Sequence, residues 1–289
     1  MPAVPRLVAA AGLVLLLAGC GSAAPPLALS PSTPLAAPPP TASLSPAPSS
    51  ATPTPSALAT RPMPSPAASP SPSPSAVPRP VVVLDPGHNG GNATHTAEVT
   101  KLVDAGRGLR KPCNEVGAEN NAGYAEHSFN WDVVVRLRGL LAAHGIDVRL
   151  TRPNDTGVGP CVDVRGRFGN GQEAAAVVSV HADGGPASGS GFHVIEETGA
   201  SAATQRLALA VRAAMRAGSG MDYATYIAGG DGLDVRGDLG GLNLSTRPSV
   251  LVEAGNMHNR ADSGLQTSAA GRQRIAVALE RGILAYLGI

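Results

Sequence analysis

Where its prolines fall divides this chain before any other feature does. Of 27 prolines in 289 residues, 19 lie between residues 21 and 80. Proline fixes φ and removes a backbone donor, so the repeated Ser-Pro, Thr-Pro and Ala-Pro steps of this stretch cannot build a helix or a sheet ladder. The run Pro70-Ser71-Pro72-Ser73-Pro74-Ser75 is typical of it, and too few large apolar side chains are present to offset the entropy of ordering. Residues 21–80 therefore read as a disordered linker. At about 3.1 Å per residue in polyproline II, such a linker reaches at most on the order of 190 Å. The same composition suits a spacer that carries a domain away from an anchor and a merely protective stalk.

Residues 1–20 read as an export signal. Arg6 precedes an apolar run from Leu7 to Ala18, too short to cross a bilayer and long enough for a signal-peptide core. It ends in Leu17-Ala18-Gly19-Cys20, which resembles the lipobox of bacterial lipoproteins. That resemblance implies a lipidated Cys20 as the mature N-terminus, with acyl chains contributing about 0.8 kcal/mol per buried methylene. The expected location is the outer face of the cytoplasmic membrane, working in the cell wall or periplasmic space. An ordinary cleaved signal with an incidental cysteine is the alternative.

Residues 81–289 remain, with six prolines, all eight aromatics and 40 of the 43 charged residues. This is the length of one globular domain. It holds 19 basic against 21 acidic side chains, a net charge of −2, so no basic field exists to bind nucleic acid. No second long apolar run is present, which excludes a polytopic membrane protein. With Cys20 given to lipid, Cys113 and Cys161 form an even pair in an oxidising compartment, and a disulfide between them is expected ahead of zinc ligation, for which no Cys-x-x-Cys spacing exists. A monomer is expected.

Within the domain, Val81–Leu84, Ala176–Val180 and Ser249–Val252 are continuous apolar runs of the kind found in strands covered on both faces, and Ile146–Leu150 and Gly191–Ile195 are two more candidates. Helical spacing runs between them. Phe129, Val133, Leu137, Leu140 and Leu141 share one face before Gly145; Leu207, Val211 and Met215 repeat the arrangement; Ile275, Leu279, Ile283 and Tyr286 close the chain. Alternating strands and helices predict an α/β fold of three layers, with a mostly parallel central sheet flanked by helices. A loop or hairpin insertion follows the first strand.

Such sheets hold ligands beyond the carboxyl ends of their strands. Three segments leave strands there: Asp85-Pro86-Gly87-His88, Ser179-Val180-His181-Ala182-Asp183 and Val252-Glu253-Ala254-Gly255-Asn256. Glu126 opens the helix carrying Phe129. Two imidazoles and a carboxylate, His88, Glu126 and His181, make a ligand set for one catalytic zinc per domain with a position left for water. Zinc lowers the pKa of bound water to about 7, and Glu253, an acid ending an apolar strand, is the candidate base. His127 stands beside Glu126 as an alternative ligand, and Asp183 is an alternative oxygen donor or a cap. His95, His144, His193 and His258 show no partner pattern and read as structural or exposed.

These segments, in this order, resemble the zinc-dependent N-acetylmuramoyl-L-alanine amidases of the type 3 amidase family over residues 81–289. Asp85-Pro86-Gly87-His88 is similar to the family's first ligand motif, Glu126 with Asn130 to its second, and Ser179-Val180-His181 to its third. Val252-Glu253-Ala254-Gly255 is similar to the motif bearing the catalytic glutamate, with Asn259 at a downstream Asn, and Arg165 and Asn170 resemble the Arg and Asn of an intervening helix. The family's aromatic after the glutamate motif is replaced by Asn256 and Met257. The resemblance implies hydrolysis of the amide joining N-acetylmuramic acid to L-alanine in peptidoglycan, by metal-assisted attack on the lactyl carbonyl. A zinc carboxypeptidase or endopeptidase of the stem peptide, and a non-catalytic wall-binding lipoprotein, are the alternatives. Residues 92–124 are expected to form a flap over the zinc, pinned by Cys113 to Cys161, or an inert surface loop.

Overall fold

The computed structural model describes residues 79–289. The export signal with Cys20 and nearly all of the proline-rich segment lie outside the described residues. Six strands form one sheet in the order β4-β1-β5-β8-β6-β7. Strands β1 (Val81–Pro86), β4 (Asp147–Leu150), β5 (Ala176–Asp183) and β8 (Ser249–Asn256) run parallel. Strands β6 (His193–Glu197) and β7 (Leu233–Arg236) run against them. The sheet is thus mostly parallel, as expected, with a reversed pair along one edge. A separate two-stranded hairpin of β2 (Leu102–Asp104) and β3 (Arg110–Pro112) follows β1, preceded by a single turn of helix, α1 (Thr96–Val99).

One face of the sheet is covered by α2 (Glu126–Ala143), α4 (Ala202–Gly218) and α7 (Ala269–Leu287). Phe129, Val133, Leu137 and Leu141 of α2 meet Val82, Leu84, Val178 and Val180 from the strands, with Leu207 and Val211 of α4 and Ile275 and Leu279 of α7 closing the layer; all are fully buried. Burying such side chains contributes roughly 1.5–3 kcal/mol each. Ser201 caps α4 by accepting from the Thr204 amide, and Ser268 caps α7 by accepting from Gly271. The other face carries less: α3 (Val162–Gly171) and the short α5 (Gly240–Asn243), with α6 (Arg260–Thr267) beyond the end of β8. Its apolar patch is small, with Val83, Ala174 and Val177 buried and Phe168 packed on them.

Cys113 and Cys161 are joined by a disulfide, as their count predicts. The bond ties the end of the hairpin segment to the start of α3 across a sequence separation of 48. In the chain-entropy account a loop of that size contributes about 4 kcal/mol.

Candidate metal centre

The thinly covered face is where the polar residues of β1, β5 and β8 emerge. Asp85 near the end of β1 is 7% exposed and receives three hydrogen bonds, from Thr151 Oγ1, Arg165 Nη1 at 2.7 Å and Ser179 Oγ at 2.7 Å. Burial alone would raise this carboxyl, but the Arg165 guanidinium and the two hydroxyls outweigh it and bring it to about 2. Asp85 thereby anchors the turn that follows. Arg165 Nη1 and Nη2 also donate to the carbonyls of Pro86 and His88, both at 2.8 Å. From the opposite side Arg152, fully buried, donates through Nε to Pro86 O at 2.8 Å and through Nη2 to His127 O at 3.1 Å. Burial lowers Arg152 to about 10, against the pull of Asp155, so it remains charged at neutral pH. Two guanidiniums therefore clamp one turn, and that turn presents His88.

His88 adopts φ of 57°, the left-handed region that side chains other than glycine seldom occupy. Its clamped neighbours hold it there. Gly87 must lack a side chain, since a Cβ would come within 2.2 Å of the His181 ring. Gly117 is constrained in the same way: a Cβ there would stand 2.8 Å from both Glu126 Oε2 and His88 Cδ2.

Glu126, the first residue of α2, is the hub. Its Oε1 lies 2.9 Å from His181 Nδ1 and accepts from Asn130 Nδ2 at 3.2 Å and the Ala182 amide at 3.1 Å. Its Oε2 lies 3.1 Å from His88 Nε2 and accepts from the Ala118 amide at 2.8 Å. Burial would raise this carboxyl, but the two imidazoles hold it well below the usual carboxylate range. Burial would correspondingly lower His88, and the Glu126 carboxylate raises it instead. One ligating atom from each of His88, Glu126 and His181 lies within 4.8 Å of the others.

These residues fit a divalent cation. Donors around a tetrahedral ion at about 2.1 Å sit about 3.4 Å apart, so a trio within 4.8 Å needs its widest pair to close by at most about 1.4 Å to seat one. His88 Nδ1 donates to the Glu115 carbonyl at 2.9 Å, which fixes the ring and frees Nε2, the outer-shell pattern of metal-bound histidine. Glu126 is oriented by backbone amides in the same manner.

Glu253 stands one strand away. It pairs in register with His181 across β5 and β8, so both side chains leave the same face of the sheet. Its Oε2 is buried and has no hydrogen-bond partner among the described residues. Burial, reinforced by the Glu126 and Asp183 carboxylates and only partly opposed by Arg236, pushes Glu253 well above the usual carboxylate range. A cavity of about 530 Å³ opens over these four residues and extends toward Lys111, Arg236 and Leu242.

The alternatives resolve by position. His127 meets Asp155 Oδ2 at 2.7 Å and does not join the cluster. Asp183 lines the cavity without joining the trio. Asn130 supports Glu126, and Arg165 supports the His88 turn. Asn170 instead ties α3 to the backbone of Leu244 and Thr246, and Asn259 is the cap of α6, accepting from Ala261 and Asp262. Both are scaffold residues. Asn256 Nδ2 donates to Pro186 and Gly189 carbonyls, and Met257 is buried. Within residues 92–124, the Glu115 carbonyl, Gly117 and the Ala118 amide lie directly against His88 and Glu126. Arg152, at the start of a polar stretch, carried no signal in the sequence, and neither did the wall formed by Gly117 and Ala118.

The chain was compared with known proteins. Residues 82–285 match the family described as N-acetylmuramoyl-L-alanine amidase. An N-acetylmuramoyl-L-alanine amidase of Mycobacterium tuberculosis is 48% identical over 212 residues, covering 72% of this chain and 86% of that protein. Among solved structures, an N-acetylmuramyl-L-alanine amidase from Mycobacterium smegmatis is 46% identical with a TM-score of 0.69, covering 72% of this chain and 97% of the other. The apo form of the amidase from Mycobacterium abscessus is 44% identical, also with a TM-score of 0.69, covering 72% and 98%. The chain belongs to the N-acetylmuramoyl-L-alanine amidase family.

Proposed function

We propose that this chain is a zinc-dependent amidase that hydrolyses the bond between N-acetylmuramic acid and L-alanine in peptidoglycan. The observation that carries the reading is the convergence of His88, Glu126 and His181 next to a buried, unpartnered Glu253 on the adjoining strand. A zinc ion held by the trio would supply Lewis acidity and lower the pKa of water toward about 7. Glu253 accepts the proton of the attacking water as the lactyl carbonyl is attacked. It then returns that proton to the alanine nitrogen as the carbon–nitrogen bond breaks. Burial suits Glu253 to this double duty, because it raises the carboxyl above the usual carboxylate range, the direction that a group which both takes and gives a proton requires. Glu126 keeps its place through Asn130 and the amides of Ala118 and Ala182, so the base and the ligand set stay in fixed register.

Digestion of purified peptidoglycan with the zinc-loaded domain, followed by mass spectrometry, tests the reaction. Stem peptides beginning with a free L-alanine are expected, and chelation should stop their release. Cuts only within the stem would make the chain a carboxypeptidase or endopeptidase, and binding without products would make it a wall-binding protein. The Leu17-Ala18-Gly19-Cys20 segment supports a further reading, that the mature chain is tethered by lipid to the outer face of the cytoplasmic membrane. The disulfide agrees with an exported protein. Among the described residues no helix is long and apolar enough to cross a membrane. Detergent phase partition of the full chain checks the tether: Cys20→Ala should move it from the detergent to the aqueous phase.

A further inference from the structure

A buried imidazole stands behind Glu253. β6 runs antiparallel to β8, and His193, its first residue, pairs in register with Glu253. Cross-strand partners in an antiparallel pair share a face, with Cβ atoms about 5 Å apart. His193 is 1% exposed, and its Nδ1 has no hydrogen-bond partner among the described residues; the same holds for Glu253 Oε2. An orphaned buried polar atom is destabilising, so two at neighbouring positions of one sheet face point to a purpose other than stability. The imidazole is also held in place. The Tyr226 ring meets it edge-on at a centroid distance of 6.5 Å, and Tyr226 itself lies against Gly185 and Gly189, where a Cβ would come within 2.6 and 2.5 Å of the ring. Burial lowers His193, with Asp183 and Asp234 opposing, so the ring is neutral at pH 7 and does not compete for the charge that the carboxyl must handle.

We propose that His193 is a positioning residue for Glu253: the two atoms, unpaired in this structure, come together in the working enzyme, Nδ1 engaging the second carboxyl oxygen so that the first faces the reacting water and the leaving nitrogen. The proton moves from water to Glu253 and on to nitrogen, and His193 neither gains nor loses one. This rests on the amidase reading above. The same pairing gives His193 a role that its isolation in the sequence concealed.

Two variants and one spectroscopic measurement test it on the zinc-loaded domain. His193→Phe keeps a buried ring without nitrogen; kcat on a soluble muropeptide should fall by roughly 10- to 100-fold with KM and zinc content unchanged. His193→Asn places an amide nitrogen near the Nδ1 position and should recover at least several-fold of that loss. In a Glu253→Gln background His193→Phe should cause no further loss, because residues that act as a unit are not additive. Unchanged kcat, equal losses in both backgrounds, or loss of zinc would each overturn the proposal. Should His193→Phe fail to fold, the ¹⁵N chemical shift of His193 Nδ1 decides instead: it should change between the native domain and Glu253→Gln, and an unchanged shift refutes the contact. That measurement needs no turnover, so an inactive native enzyme would sink the amidase reading while leaving the His193 contact to be judged by its own signal.

Discussion

The two faces of the central sheet answer different demands. The face under α2, α4 and α7 is continuous and apolar, with Phe129, Leu137, Leu207 and Leu279 fully buried. The face under α3 and α5 holds Asp85, Ser179, His181, His193 and Glu253, with only a small apolar patch around Val83 and Val177. Both are made by the same strands, one residue apart: Val180 and Val252 point into the core while His181 and Glu253 point into the cleft. The period of two in a strand lets stability and chemistry be set independently along one backbone.

Substitutions on the two faces should therefore fail in opposite ways. Glu253→Gln is expected to lower kcat by roughly 10²- to 10⁴-fold with zinc retained. Because it removes a buried carboxyl left without a partner, its melting temperature should equal or exceed the native value; a markedly lower one in calorimetry would collapse the distinction between the faces. Phe129→Ala, on the core face, should cost about 3–5 kcal/mol in denaturant titration, while the surviving folded fraction keeps its kcat.

Asp85 sharpens the contrast, because it is a polar residue that does structural work on the active face. Its carboxyl is depressed to about 2, so its contribution is fully present above the ordinary carboxylate pKa near 4 and is lost as pH falls from there through 2. That contribution is on the order of 2 kcal/mol, and acid titrations of the native domain and Asp85→Asn should differ by about that amount above pH 4 and converge below pH 2. The smallest effect is expected outside both faces. Arg149 and Asp147 form an exposed pair at 2.6 Å on the edge strand β4, and Arg149→Ala should leave the denaturation midpoint essentially unchanged.

Much of this was legible in the sequence, for a physical reason. Strands buried on both faces must be apolar throughout, which exposed β1, β5 and β8, and the helices of the core face carry the 3.6-residue spacing that their packing requires. The convergence of these four side chains could be expected because His88, His181 and Glu253 follow or end such strands and Glu126 opens a helix. β7 escaped because Leu-Asp-Val-Arg is a short edge strand whose alternation is too brief to stand out, and the reversal of β6 and β7 follows from pairing that no local pattern records. Arg152 escaped because a charged side chain among Thr, Pro and Asn looks solvated; its burial depends on carbonyls of residues 86, 87 and 127 that only folding brings near. Asn259 was visible only as the counterpart of a downstream Asn, and the fold uses it as a helix cap.

His181 and Glu253 face each other across a hydrogen-bonded ladder, so the spacing between what would grip the cation and what would shuttle the proton is a fixed lattice constant that no lid movement can tune. Variation is left to positions such as Lys111 and Val116, which border the same cavity outside the contacts that hold His88 and Glu126. Substitutions confined to those two positions should alter what enters the cleft while leaving the chemical step at its native speed.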